Sequence, residues 1–344
     1  MKSTAKFILS KKKLVEQFNL IEPLADTIAF SFKTNQEVGQ LLEKTTPCLF
    51  SVHSHELLKK IKDKSRVLFF AQAWDDEELN DLIKSGIQTV VVDNEADLTT
   101  LLQFLKNTKN KINLFLRMRM KENTVLTGKH FVFGMKADQI NKHIPELKLN
   151  ENIKSLGIHF HRKTQNVSEW DIQDELSEAL SEKTWQLINT INIGGGLPVQ
   201  YKNSHPDLKP IFSKLKSLNA FLTKKNIKLV IEPGRFLSAP CIKLETTIKN
   251  LYENNIIIDT SIYNTAIDTF ASHVRLKVEN ELEQKQGEPY TIKGSTPCSL
   301  DIFRYRVYLK NPKPGDKIIF LNAGAYNFKT DFCGLDEVPT SIVD

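Results

Sequence analysis

Lys33 stands in Phe30-Ser31-Phe32-Lys33-Thr34-Asn35, just past a short apolar run. At the C-terminal end of a strand such a lysine can be partly desolvated, which lowers its pKa and makes the amine a nucleophile toward an aldehyde. By position alone it can equally be a solvated loop lysine. Gly194-Gly195-Gly196 follows the apolar run Thr190 to Ile193. Successive glycines let backbone amides approach a phosphate closely, or simply make a tight turn. Glu232-Pro233-Gly234-Arg235 ends another apolar run. A carboxylate there could keep a pyridine nitrogen protonated, and the competing reading is a structural Glu232–Arg235 ion pair. His159 and His161 flank Phe160, and strand alternation predicts both on one face. No acid or cysteine with readable ligand spacing joins them, so no metal site is expected. A ring stacked on a planar ligand and a satisfied core histidine both remain open. Tyr326 in Gly324-Ala325-Tyr326 could offer its hydroxyl to a phosphate or pack as core.

These groups punctuate a regular series of elements. Thr27 to Phe32, Cys48 to Val52, Val67 to Ala71, Thr89 to Val92, Leu114 to Met118, Ser155 to Phe160, Thr190 to Ile193 and Leu229 to Glu232 read as strands. Amphipathic stretches between them, such as Gln36 to Leu42 and Glu95 to Leu105, read as helices. Parallel neighbours need a crossover, so this alternation predicts a parallel sheet, and about eight units predict a (β/α)8 TIM-type barrel. An open doubly wound sheet is the runner-up. After Arg235 the pattern changes to strands joined by turns: Ile242 to Ile248, Ile256 to Ile258, Tyr290 to Ile292, Arg304 to Leu309 and Lys317 to Leu321. The α/β chain is therefore expected to hold a barrel over residues 8–236 and a mostly antiparallel β domain over 237–344. The N-terminal strand, residues 1–7, is expected to join the β domain.

The 344 residues suffice for two domains, and 40% apolar with 26% charged residues is ordinary for a globular protein. The net charge of +6 is spread along the chain, so no nucleic-acid partner is expected. No apolar run approaches the ~20 residues of a membrane span. The basic start lacks a signal-peptide core. Cys48, Cys241, Cys298 and Cys333 show no metal-type spacing and point to reduced thiols in a cytoplasmic protein.

In order and spacing, the segments resemble the fold-type III decarboxylases that use pyridoxal 5'-phosphate (PLP), the group of ornithine/lysine, diaminopimelate and carboxynorspermidine decarboxylases. The resemblance runs from about Lys6 to Gly334 and is nearest the ornithine type. It implies the alanine racemase/ornithine decarboxylase plan, with Lys33 as the lysine that carries the cofactor as an imine. It also implies cofactor contacts from Arg117, His161, Thr164, Gly194, Gly195, Gly196, Glu232, Arg235 and Tyr326. A rival lysine-motif placement at Phe69 to Trp74 would put Gln72 at the lysine position. It is rejected because the segment after Lys33, Val38 to Leu57, has the family's following pattern. Gly294 to Asp301 resembles the family segment that crosses to a neighbouring subunit and supplies a cysteine proton donor. The resemblance thus implies a homodimer with shared sites and Cys298 as donor.

The resemblance also has gaps. Counted without a gap, Pro297 takes the family cysteine position, and Cys298 takes one where ornithine-type enzymes carry an acid. Thr260 takes the other acidic position, with Asp259 one residue early. Asp259, Thr260 and Asp301 are the substrate-binding candidates. No arginine lies in Asn264 to Ser272, where diaminopimelate enzymes carry one. The expected reaction is decarboxylation of a basic or diamino acid to its amine. A carboxynorspermidine- or diaminopimelate-type decarboxylase, a non-catalytic regulator and a racemase are the alternatives.

Overall fold

The computed structural model describes residues 3–120, 133–327, 330 and 334–344. Cys333 therefore lies outside the described residues. The chain forms two compact units, one of Leu20–Pro198 and Asp207–Gly234, the other of Met1–Asn19, Val199–Pro206 and Arg235–Asp344. The first strand, β1 (Lys6–Ser10), belongs to the second unit.

The first unit is a closed barrel of eight parallel strands. They are β2 (Thr27–Ser31), β3 (Leu49–Val52), β4 (Val67–Ala71), β5 (Thr89–Val92), β6 (Ile112–Arg117), β7 (Ile153–His159), β8 (Thr190–Asn192) and β9 (Lys228–Ile231). Closure comes from β9 pairing with β2, Val230 opposite Thr27. The (β/α)8 expectation is met, and the open-sheet alternative falls. Leu68, Phe70, Val91, Phe115 and Val230 pack together in the core. Gly157 makes room for one of them, since a Cβ there would lie 2.4 Å from the Phe115 ring.

Helices return the chain between strands, and capping sets where many of them start. The Asn35 side chain accepts from the Val38 amide at 3.0 Å and opens the helix Gln36–Thr45. Ser54 does the same for His55–Leu58, accepting from Leu57. Asp75 and Glu78 form a reciprocal capping box on Asp76–Lys84.

The second unit is an eight-stranded, mostly antiparallel sheet. Besides β1 it contains β10 (Ile242–Tyr252), β11 (Asn255–Ile258), β12 (Lys277–Val278), β13 (Glu288–Lys293), β14 (Ile302–Leu309), β15 (Lys317–Leu321) and β16 (Thr340–Val343). The pairs β1–β16 and β11–β13 are parallel. β1 pairs antiparallel with β10, Phe7 opposite Leu244. Phe303 and Phe320 stack at 4.9 Å in the core of this unit. A buried helix, Arg235–Cys241, precedes β10. Among the described residues no helix is long and apolar enough to cross a membrane.

Candidate active site

In the barrel, each of the eight strands has a polar residue at or just past its C-terminal end: Lys33, His53, Gln72, Asp93, Arg117, His159, Asn192 and Glu232. Local structure sets Lys33. Strand β2 stops at Ser31, and a single 3-10 turn covers Phe32–Thr34 before the Asn35 cap. Phe32 and Thr34 are buried on either side of Lys33, whose own side chain is open to solvent. Among the described residues the Lys33 amine makes no hydrogen bond or ion pair, while Glu232 and Arg117 act on it electrostatically. Crowding by protein lowers its pKa below the ordinary lysine value; Glu232 opposes that shift and Arg117 adds to it. Lys33 is thus reachable by water yet crowded by protein, the environment a nucleophilic amine requires.

Glu232 sits at the centre of this mouth and is buried. Ser51 donates to its Oε2 at 3.1 Å and Asn192 to its Oε1 at 2.7 Å. His159 Nε2 lies 3.7 Å from Oε1. Burial alone would raise the carboxyl pKa, but His159, the Asn192 hydrogen bond and His53 outweigh it and hold the group at about 2. Burial pushes His159 down from the usual imidazole value, and neither of its ring nitrogens has a hydrogen-bond partner. Hydrogen bonds from Ser51 and Asn192 favour an ionised Glu232 whatever the state of His159.

Strand β7 ends at His159, so the two histidines do not share a strand face. His159 is buried, whereas His161 lies beyond the strand and meets solvent. The His161 ring is nonetheless densely surrounded; desolvation, then Arg117 and His159, hold its pKa down to about 3. His161 Nδ1 accepts from the Gly195 amide at 3.2 Å. The Gly194 amide donates to Asn192 Oδ1 at 2.9 Å. Among the described residues the Gly196 amide has no partner. Only glycine fits this run: a Cβ at Gly194 would meet the Phe160 carbonyl at 2.5 Å, and Gly194 and Gly196 both have positive φ. Thr164 is half-buried in the turn that follows His161.

Arg117 Nη1 donates to Asp93 Oδ1 at 2.8 Å and covers the Phe133 ring. Ser51, His53, Asp93 and Asn192 are mouth residues that the sequence reading misses. Each is bland alone, and their common signal is position at the inward end of a barrel strand.

The remaining site candidates belong to the sheet unit. Arg235 forms a two-pronged pair with Asp268 and donates to the Tyr201 hydroxyl at 3.0 Å. The Glu232–Arg235 ion pair considered from the sequence is thus replaced by Arg235–Asp268. The half-buried ring of Tyr326 lies 5.2 Å from the Arg235 guanidinium. Asp259 accepts from the Thr4 amide at 2.7 Å, the Thr4 hydroxyl at 2.9 Å and the Thr247 amide at 2.8 Å. Asp301 accepts from the Ile262 amide at 2.9 Å and from Thr296 through its amide and its hydroxyl, the latter at 2.7 Å. Gly294 is needed beside it, since a Cβ there would lie 2.0 Å from Asp301 Oδ1. Thr260 Oγ1 donates to Asn264 at 3.0 Å. Cys298 Sγ lies 3.0 Å from the Tyr263 hydroxyl, and that contact, with a backbone bond at Leu300, lowers the thiol pKa.

Two family models match the chain. The pyridoxal binding domain of the pyridoxal-dependent decarboxylases covers residues 14–239, and their C-terminal sheet domain covers residues 232–324. The chain belongs to the pyridoxal-dependent decarboxylase family. It is accordingly a PLP-dependent carboxy-lyase. It is 23% identical to a probable chloroplastic diaminopimelate decarboxylase of Oryza sativa subsp. japonica, over 93% of this chain and 70% of that protein. It is 30% identical to a diaminopimelate decarboxylase of Buchnera aphidicola, over 53% of this chain and 49% of that protein. The crystal structure of Helicobacter pylori diaminopimelate decarboxylase with L-lysine has the same fold, with a TM-score of 0.84 and 19% identity over 100% of this chain and 92% of that one.

The mouth fits PLP chemically. An amine with no partner among the described residues, a buried carboxylate held ionised and a glycine amide free for an anion meet the needs of an aldehyde, a pyridine nitrogen and a phosphate.

Proposed function

We propose that the chain decarboxylates a basic or diamino acid to its amine, with Lys33 as the anchoring lysine. The observation that carries this reading is the Lys33 amine, which has no partner among the described residues and is depressed below its ordinary pKa beside Glu232. PLP, when bound, supplies the sink for the electron pair left as a carboxylate departs as CO2. Lys33 would anchor the aldehyde, and Glu232 would keep a pyridine nitrogen protonated. The glycine run Gly194, Gly195 and Gly196, with Thr164, Arg235 and Tyr326, would hold the phosphate. His161 offers its ring face, and Arg117, braced by Asp93, steadies the mouth. Cys298, acidified by Tyr263, would return a proton to the substrate Cα. Segments 259–264 and 294–301 would read the substrate, with Thr260 and Cys298 as contacts and Asp259 and Asp301 shaping the two loops.

The working form proposed is a cytoplasmic homodimer serving amine or polyamine synthesis. The test is CO2 release from ornithine, lysine, arginine, diaminopimelate and carboxynorspermidine with PLP present. Release from a diamino acid, lost in Lys33→Ala, is expected. Release undiminished in Lys33→Ala would overturn the assignment.

A further inference from the structure

His53 acts on Glu232 electrostatically, and the fold also places it beside Lys33. Strands β2 and β3 pair with Ser31 opposite Ser51, and Lys33 and His53 each follow two residues later. Strands β3 and β4 pair with Val52 opposite Phe69, which brings His53 next to Phe70. The two rings lie face to face, centroids 4.8 Å apart and 13° from parallel. The Phe70 ring in turn meets His159 edge-on at 4.8 Å. Ser51, on the same face of the strand, is buried and bonded to Glu232. Two residues on, alternation brings the imidazole out at the mouth, where solvent reaches it. Among the described residues neither ring nitrogen of His53 makes a hydrogen bond. The ring is thus fixed by its flat face while its nitrogens stay free.

We infer that His53 is a positioning residue for Lys33: it takes from Nζ the proton that the ammonium must lose before the amine can attack a carbonyl. In that step one N–H bond of the Lys33 ammonium breaks and the electron pair stays on Nζ. The proton joins the bare ring nitrogen of His53, and the ring passes a proton on to water. The charged and titratable groups around the ring are Lys33, Glu232, His159 and Arg117. Burial first, then the Lys33 charge, hold the imidazole pKa down to about 3, so the ring is neutral near pH 7 and can only relay the proton to water, not hold it. A phenylalanine could provide the same stack on Phe70, so stacking alone does not account for a histidine at this position.

This inference rests on the Lys33 assignment, and the experiment separates the two. The full chain is mixed with PLP across a pH series, the adduct is reduced with borohydride at timed intervals, and the Lys33 peptide is quantified by mass. In the unaltered chain the adduct is expected on Lys33. His53→Phe keeps the stack and removes the nitrogens; trapping should slow roughly 10²-fold near neutral pH, the low end for a positioned proton acceptor, and its pH profile should move to higher pH. His53→Ala should be slowed as well and recover with added imidazole, which a purely structural role would not allow. An unchanged rate and pH profile in His53→Phe, or no imidazole rescue of His53→Ala, overturns the inference and leaves Lys33 standing. An adduct on some other lysine of the unaltered chain overturns the Lys33 assignment and this inference with it.

Discussion

The mouth of the barrel and the two loops of the sheet unit treat their polar groups in opposite ways. In the mouth, Lys33, His53 and His159 have no hydrogen-bond partners among the described residues, although Glu232 lies close to His159. In the loops, Asp259 and Asp301 have both oxygens engaged by backbone amides and threonine hydroxyls. His159 is buried, and a buried polar group without a partner is costly, so folds keep one where a ligand is due, while Lys33 and His53 reach solvent with their nitrogens unengaged. The contrast separates chemistry from scaffolding: the mouth is prepared for a ligand, whereas the acids of the loops hold the loops themselves.

The largest effect that tests this contrast is in the mouth. Lys33→Ala should bring CO2 release and borohydride-trapped adduct to background while circular dichroism stays native.

Glu232→Gln comes next and should slow CO2 release roughly 10²-fold, in line with the loss of one preorganised charge. It should also change acid stability. An unfolded glutamate takes its proton near 4.5 and the folded one only near 2, so the contribution of Glu232 is full above about 4.5 and is lost as pH falls toward 2. That contribution is on the order of 3 kcal/mol. Denaturant titrations between those pH values should show a flatter acid limb in the variant, and an unchanged limb would mean the carboxylate is not held as described.

Asp259→Asn reverses the contrast. It sets an amide group against Thr4 or Thr247 donors and should cost about 1–3 kcal/mol of stability with substrate preference unmoved. A changed preference at unchanged stability would make Asp259 a substrate ligand. The smallest effect is at Tyr263→Phe, which removes the hydroxyl that lowers the Cys298 pKa. Iodoacetamide should then label Cys298 a few-fold more slowly near pH 8, where less thiolate is present.

Much of the barrel is legible in the sequence because its strands are apolar runs at even spacing. Val67–Ala71 and Thr89–Val92 carry the bounds read from sequence alone. The site is legible where a residue is unusual for its place, as Lys33, Glu232 and the glycine run are. Ser51, Asn192 and Asp93 are not legible, because a serine or asparagine acquires meaning only when barrel closure brings strands far apart in sequence to one carboxylate. Asp268 escapes for the same reason: its tie to Arg235 spans a stretch of sheet. Strand β16, with residues 341–343 exposed, lacks the buried face that pattern reading depends on.

Glu232 is bonded through its side chain to β3 and β8, and its amide donates to the Gly194 carbonyl at 2.7 Å. One carboxylate thus buckles strands from both halves of the barrel while facing the ligand. For a lineage drifting away from catalysis, this sets the order of loss. Lys33 can go without loosening the barrel, but Glu232 cannot, so a retired descendant would keep its glutamate as a relic of the chemistry.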